Sequence, residues 1–199
     1  MSLILPNYPD VENTSPFDTD ESIVTVEASG GSVPYSYAIT LQSTTVGMLK
    51  VTGTLNPDAT GIYVENGTYN GQPAYERIDG AYWIWKTIVG VWVVSLDKDY
   101  IDDGWVGIAL QGDYEAIGDL HYTGIATVAL YAPFAINAST GEITITDASG
   151  LAVGQTWTLT VQATDASLDT DLGTIIITLI ESGIDPNIGR KFALPMFLR

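Results

Sequence analysis

The sequence of 199 residues contains no cysteine, which excludes disulfide bonds, thiolate zinc sites and cysteine nucleophiles. It contains one histidine, His121, so a Ser-His-Asp triad would have to use that residue. No Gly-x-Ser-x-Gly nucleophile elbow accompanies it. We interpret His121 as a structural or surface residue, and we expect no enzymatic activity, no catalytic residue and no cofactor.

Basic residues are scarce. Seven Lys and Arg stand against 24 Asp and Glu, which gives a formal net charge of −17. A protein this acidic repels phosphate backbones, so nucleic acid is not an expected partner. No run of eighteen apolar residues occurs, so no membrane insertion is expected. Residues 1–6 have no basic region and too short an apolar run for a secretory signal, so none is predicted.

β-Branched and aromatic residues, in contrast, are abundant along the whole chain. Apolar residues alternate with period two in one segment after another, and sustained helical periodicity is missing. The sequence therefore predicts an all-β fold.

Two distant parts of the chain carry the strands of one predicted sandwich. These segments are 23–28, 34–40, 133–137, 140–145, 157–165 and 173–180. They resemble the cadherin and bacterial-adhesin pattern F-x-I-x-x-x-T-G-x-I … Y-x-L-x-V-x-A-x-D … V-x-I-x-V. The resemblance implies a cadherin-like (Ig-like) antiparallel β-sandwich, and a display or adhesion protein. The interval between Ile39 and Phe134 is too long for a loop, so a folded insertion is predicted there.

The sequence thus predicts four regions. They are an extended N-terminal arm at 1–19 with three prolines, a sandwich formed by 20–46 plus 132–183, an inserted β module at 47–131, and a C-terminal arm at 184–199.

The predicted insertion opens with segment 49–55 and closes with segment 122–130. Pairing of these two strands would bring its ends together, as insertion into a loop requires. Asn70-Gly71 predicts a type I′ turn within a β-meander, because both central residues of that turn need positive φ. Between 97 and 120 we predict an acidic loop region with at most one strand, at 105–110.

Residues 60–95 resemble a small β module with the pattern G-x-Y-x-x-x-G-x-Y-N-G-x-P-x-Y … Y-x-I-W … W-x-I-S. That module is associated with phage virion proteins and with repetitive surface proteins of environmental bacteria. The resemblance attaches no catalytic role to any residue.

Tryptophans of this module are the candidate ligand-stacking residues. Alternation places Trp83 and Trp85 on the face opposite Tyr82 and Ile84. One face should form a core, and the other either packs or stacks on a sugar or a protein neighbour, with packing favoured. The candidate stacking set is Trp83, Trp85 and Trp92.

Calcium is the metal that a cadherin resemblance raises. The acidic signatures of calcium-binding cadherin junctions are missing here, apart from Asp165 of the Ala-x-Asp motif with Asp169 and Asp171 nearby. Calcium takes six or more oxygen ligands. We therefore predict solvated loop carboxylates and no required metal, with a calcium site near Asp165 as the alternative.

The last residues are apolar and basic, and Pro195 interrupts both helix and strand pairing. This predicts an assembly arm that docks on a partner; the alternative is an extra edge strand that covers the protein's own sheet. The predicted interface consists of Arg190, Lys191, Phe192, Leu194, Met196, Phe197 and Leu198.

Together these features predict a non-enzymatic bacteriophage virion structural protein: a head-decoration, tail or fibre component that acts through protein–protein assembly and surface display. Its partners would be other virion proteins or further copies in a homo-oligomer, and a host-surface glycan. A sandwich of this class without a signal segment suits a virion, which assembles in the host cytoplasm and acts outside. The alternative is an adhesion module at the bacterial cell surface that binds glycan or protein.

Overall fold

The structure is a computed structural model that describes residues 2–98, 103–118 and 121–181. Within these ranges the chain forms fifteen β-strands and no helix, which confirms the predicted all-β class. No helix in this part of the chain could cross a membrane. The chain divides into two compact units, one of residues 1–41, 135–146 and 151–199 and a second of residues 42–134 and 147–150.

The strands, in chain order, are β1 (Tyr8–Thr14), β2 (Ser22–Thr25), β3 (Ser36–Thr44), β4 (Met48–Thr52), β5 (Gly61–Tyr69), β6 (Gln72–Arg77), β7 (Trp83–Lys86), β8 (Trp92–Ser95), β9 (Gly104–Gly107), β10 (Gly112–Ile117), β11 (Ile125–Leu130), β12 (Phe134–Ile136), β13 (Glu142–Ile145), β14 (Thr156–Thr164) and β15 (Thr170–Ile180).

The first unit contains two sheets, with strand orders β1-β15-β14-β3 and β12-β13-β2. The longest ladder joins β14 and β15 in antiparallel register, from Thr156 opposite Thr178 to Thr164 opposite Thr170. Every second residue of β14, and of β15 from Gly173 onward, is buried, as expected for a sheet with one face in a core. The buried set on this ladder is Trp157, Leu159, Val161, Ala163, Ile175, Ile177 and Leu179.

The N-terminal segment differs from the predicted arm at 1–19. β1 forms an edge of the four-stranded sheet, parallel to β15, and Leu3 and Leu5 are buried. The backbone amide of Leu5 also donates to the Asp171 carboxylate at 2.8 Å. Proline is tolerated in an edge strand, and Pro9 lies where the register of β1 shifts, so proline content did not indicate an arm here.

The strands predicted at 23–28 and 34–40 are present as β2 and β3, but they do not pair with each other. β2 and β3 lie in different sheets, and Gly30 and Gly31, with φ of 70° and 57°, turn the chain between them. Alternation identified the strands, because it depends on neighbouring residues, but it carried no information on their partners.

The second unit contains a closed barrel of eight strands, β4 to β11. Each strand pairs with the next in sequence, and β11 pairs with β4 to close the barrel, with Leu130 opposite Leu49. This is an up-and-down barrel. The predicted pairing of the first and last segments is therefore present, and the predicted meander closes on itself. At the β5–β6 hairpin, Asn70 and Gly71 have φ of 51° and 73°, which confirms the predicted type I′ turn.

Residues 97–120 hold two strands where the sequence predicted at most one. β9 and β10 pair with each other, β9 pairs with β8, and β10 pairs with β11. Both begin at a glycine, Gly104 or Gly112, with φ of 150° and 127°, and they are short. β9 overlaps the predicted strand at 105–110, whereas β10 was missed, because Tyr114 is its one buried residue and the strand carries little apolar alternation.

The barrel interior is filled by side chains, six of them large aromatic rings. The interior aromatic set is Tyr63, Tyr75, Tyr82, Trp92, Trp105 and Tyr114. Gly107 leaves room for the ring of Tyr114, because its ideal Cβ would lie 2.7 Å from that ring. A barrel of eight strands is just wide enough to be filled in this way.

Candidate functional site

The β7 tryptophans alternate as predicted. Tyr82 and Ile84 belong to the interior core, whereas Trp85 heads a separate cluster against which Trp83 packs. Trp92 belongs to the interior core and is 6% exposed. Trp92 is therefore removed from the ligand-stacking candidates, because its ring packs inside the barrel.

The outer cluster has Trp85 at its centre, with Ala74 and Val93 buried beside it and Tyr69 partly buried against it. The indole Nε1 of Trp85 donates to Ser95 Oγ at 2.8 Å, and Ser95 Oγ donates to the carbonyl of Asp97 at 2.7 Å. The Tyr69 ring meets Trp85 edge-to-face, with centroids 5.3 Å apart. The Trp85 ring is thus held in place by its neighbours, and its Nε1–H group is hydrogen-bonded.

Lys98 covers the partly exposed Trp83. Its Nζ lies 3.8 Å from the ring centroid of Trp83 and 5.9 Å from that of Tyr69, within cation–π range of both. In the part of the chain that the structure describes, no carboxylate lies within salt-bridge distance of this ammonium group. Trp83 therefore holds a cation in place, and it does not present a bare ring for stacking.

Tyr69, Trp85 and Lys98 line a groove of about 300 Å³ on the outer face of the barrel. Its walls include Ile88 and Val89, which are 88% and 73% exposed. The turn that carries them is held by Thr87, whose backbone amide donates to the carbonyl of Val91 at 2.8 Å and whose Oγ1 accepts from the Val91 amide at 3.2 Å. Two β-branched side chains are thus presented to solvent by an ordered turn.

Asn70 supplies a polar group at the rim of the groove. Its Nδ2 donates to the carbonyl of Lys86 at 3.0 Å, which orients the amide and directs its Oδ1 elsewhere. No described residue donates to that oxygen. We define the groove site as Tyr69, Asn70, Trp85, Ile88, Val89 and Lys98.

Sequence reasoning identified Trp85 in this site, named Asn70 only as a turn residue, and missed Tyr69, Ile88, Val89 and Lys98. One signal was present: Ile88 and Val89 stand immediately before a turn glycine, where exposed apolar side chains are unusual. Lys98 gave no signal, because its position over Trp83 depends on a contact between different strands.

A second polar cluster surrounds Arg77. Its guanidinium forms a two-point ion pair with Asp79, with both N–O distances 2.7 Å, and donates to the carbonyls of Asp58 and Thr60. The guanidinium also lies 4.7 Å from the ring centroid of Tyr82. The hydrogen bonds from Arg77 and from the backbone amide of residue 81 hold the pKa of Asp79 below its ordinary value. Because these charges satisfy one another, we interpret the cluster as a clamp on the barrel end.

Asp165, the candidate calcium ligand, binds backbone amides. Its carboxylate accepts from the amides of Ser32 and Ser167, both at 2.8 Å, and of Asp169 at 3.0 Å. These bonds, that of Ser32 first, hold the pKa of Asp165 below its ordinary value. The ideal Cβ of Gly31 would lie 2.5 Å from Asp165 Oδ2, so a glycine is needed there. Asp165 is a loop anchor, and the described residues contain no cluster of three metal-ligating side chains.

The remaining candidates are His121 and the C-terminal interface. His121 is exposed. Residues 184–199 lie outside the described residues, and the proposed interface of Arg190, Lys191, Phe192, Leu194, Met196, Phe197 and Leu198 lies with them.

Comparison with known proteins gave no family model that matches the chain and no curated protein that matches it. The functional interpretation therefore depends on the geometry described above and on the sequence patterns.

Proposed function

We propose that this chain is a non-enzymatic structural protein of a bacteriophage virion, in which a cadherin-like sandwich displays an inserted β-barrel. It acts through assembly with other virion proteins or copies of itself. The observation that carries the proposal is the closed barrel whose first and last strands are paired neighbours, with the other unit's sequence on both sides of it.

The strand arrangement of the first unit supports a cadherin-like sandwich. Its seven strands divide as four and three between two sheets. The same division is found in immunoglobulin-type sandwiches. The parallel pairing of β1 with β15 uses the N-terminal segment to cover the edge of β15, which would otherwise present unpaired backbone groups.

The closed barrel supports a display role. A closed sheet has no free edge, so many copies can stand close together without edge-to-edge strand pairing. The chain enters at β4 and leaves at β11, which are hydrogen-bonded to each other. A module with adjacent ends can occupy a loop of a host domain without distorting it.

The proposal that the protein is not an enzyme has two supports. The barrel interior is filled with packed side chains, six of them aromatic rings. Among the described residues that line the groove site, Lys98 is the one charged side chain, and no carboxylate or histidine stands beside it there to form an acid–base pair.

A bacterial surface adhesion module is the second candidate. The groove site favours it, because exposed Ile88 and Val89 beside the Lys98 ammonium group are typical of a binding surface. The same fold serves both functions, so the location of the protein discriminates between them.

The test is the location of the native protein. Particles purified by density gradient from the source culture are analysed by mass spectrometry and by immunogold labelling against the barrel. We expect the chain at a constant ratio to the major capsid or tail protein, with label at regular sites. Recovery in the cell-envelope fraction instead would favour the adhesion module, and absence from both would refute both candidates.

We also propose that residues 184–199 are an assembly arm. Their apolar and basic composition complements the acidic remainder of the chain. Truncation after Gly183 should abolish self-assembly, measured by light scattering, and leave the melting temperature of the monomer unchanged. A marked fall in that melting temperature would show that the segment belongs to the fold.

A further inference from the structure

The groove site has the composition of a binding site for one small anionic ligand. Tyr69 presents a partly exposed ring, Ile88 and Val89 present methyl groups, and Lys98 presents an ammonium group. The volume of about 300 Å³ lies at the lower end of the range for small-molecule sites. Its floor and its turn are held by hydrogen bonds of Trp85 and Thr87, so the site exists before a ligand arrives.

Extended peptides fit this site poorly. A peptide that adds to a sheet needs a free strand edge, and the closed barrel has none. A helical peptide needs an elongated groove with successive pockets, whereas this groove has a volume of only about 300 Å³ and is lined by seven residues. The geometry therefore favours a compact ring-shaped ligand over a segment of protein.

We propose that the groove site binds a carboxylated N-acetyl sugar, of the sialic acid type, at the exposed end of a surface glycan. The inference rests on the proposed function and names the ligand class of the displayed barrel. The sugar carboxylate would pair with Lys98, and its apolar C–H face would lie on Tyr69. The acetyl methyl would contact Ile88 and Val89, and a hydroxyl or amide N–H would donate to Asn70 Oδ1.

Charge supports a ligand with a single carboxylate. Lys98 lines the groove, and its Nζ lies against the rings of Trp83 and Tyr69, which places a positive charge beside the space for the ligand. The chain as a whole has a formal net charge of −17, and such a field repels a long polyanion. A local cation within an acidic surface thus selects a short glycan end with isolated negative charge.

The test titrates the full chain with the α-methyl glycoside of N-acetylneuraminic acid, followed by calorimetry and by backbone amide NMR. Two comparison sugars are its methyl ester, which lacks the charge, and N-acetylglucosamine, which lacks the carboxylate. We expect saturable binding of the acid, with shifts in the 69–70 and 87–89 turns. Affinity for the ester should be at least about tenfold weaker, the effect of one charge-assisted hydrogen bond.

Lys98→Met is the diagnostic variant, because methionine keeps an apolar stem over Trp83 and removes the charge. It should weaken binding of the acid about tenfold and leave binding of the ester unchanged. Lys86→Met is the matched control: Lys86 Nζ lies 5.7 Å from the ring centroid of Trp92, and Lys86 is not among the residues that line the groove. It should bind the acid as the unchanged chain does.

Ile88→Ser provides a second test if Lys98→Met does not fold, because a side chain that is 88% exposed tolerates a polar replacement. It should weaken binding of the acid and of the ester alike. Four results would overturn the inference: no saturable binding of the acid, equal affinity for its ester, full affinity in Lys98→Met, or tighter binding of a blocked leucyl-glutamate peptide at the same turns. The titration uses the isolated chain, so its failure is distinct from absence of the protein from particles.

Discussion

Gly107 of β9 is the position where one added methyl group should destabilise the barrel most clearly. It pairs with Trp92, and the pairing of Val106 with Glu115 places Tyr114 on its other side. Its ideal Cβ would lie 2.7 Å from two ring carbons of Tyr114. Gly107 has no positive φ, so alanine suits its backbone and the expected effect is purely steric.

The Tyr114 ring has little freedom to move away. It is fully buried, and its single hydroxyl hydrogen is shared between the carbonyls of Ala109 and Leu110, whose oxygens lie 3.0 and 2.9 Å from the hydroxyl oxygen. Overpacking a filled core costs about 1–3 kcal/mol, and losing a hydrogen bond adds about 1 kcal/mol. We expect Gly107→Ala to lower the free energy of unfolding of the barrel by about 2–4 kcal/mol.

The assay is urea unfolding followed by tryptophan fluorescence. Four of the five tryptophans lie in the barrel, so the signal reports mainly on that unit. Circular dichroism is recorded alongside fluorescence, because it also reports on the first unit and the two units need not unfold together.

A double-mutant cycle with Tyr114→Leu isolates the steric contact. Removing the ring should destabilise the barrel by itself, yet adding Gly107→Ala to that background should cost little, because nothing then occupies the space. The expected coupling is about 1–3 kcal/mol. An equal cost of Gly107→Ala in both backgrounds would refute the proposed contact and the register of β9 and β10 that produces it.

Three further predictions concern the rest of the chain. Asp165→Asn should lower the melting temperature and should make that temperature less sensitive to acid. The pKa of Asp165 is lowered in the folded protein, so its carboxylate contributes stability above the ordinary carboxyl pKa, and this stability is lost as the pH falls through the pKa of the folded state. The same dependence of melting temperature on pH in the variant and the unchanged chain would contradict this. Burial raises the pKa of Tyr63, and it raises the pKa of Tyr131 to about 12, so the stability of the protein should fall as the pH rises above the ordinary tyrosine pKa. The absorbance of tyrosinate from these residues should therefore appear together with unfolding. Ionisation of Tyr63 and Tyr131 while the chain is still folded would count against this prediction. Deletion of 47–131 with a short bridging loop should leave a folded β domain by circular dichroism, and an unfolded remainder would contradict the division into units.

Properties that depend on a few neighbouring residues could be predicted from the sequence. The all-β class followed from alternation, and the Asn70-Gly71 turn followed from the tolerance of both residues for positive φ. The opposite faces of Trp83 and Ile84 also followed, because successive side chains of a strand point to opposite sides.

Which strands pair, and which side chains contact each other across the fold, depended on the tertiary structure. Trp92 packs inside the barrel. The sequence could not indicate this, because every residue of β8 is buried and alternation does not show which face of such a strand is the inner one. The β1 segment joins a sheet through pairing with β15, far away in sequence. The Asp165 carboxylate reaches amides of the Ser32 loop, which no local pattern foretells.

The candidate site shows the same division. The sequence determined that an aromatic strand would have an outer face, because that property is local. The tertiary structure decided that Lys98 covers Trp83, that Tyr69 meets Trp85, and that the turn of Ile88 completes the groove. These residues lie on different strands and loops, and the antiparallel pairing of β5 through β8 brings them together, since it determines which strands are neighbours.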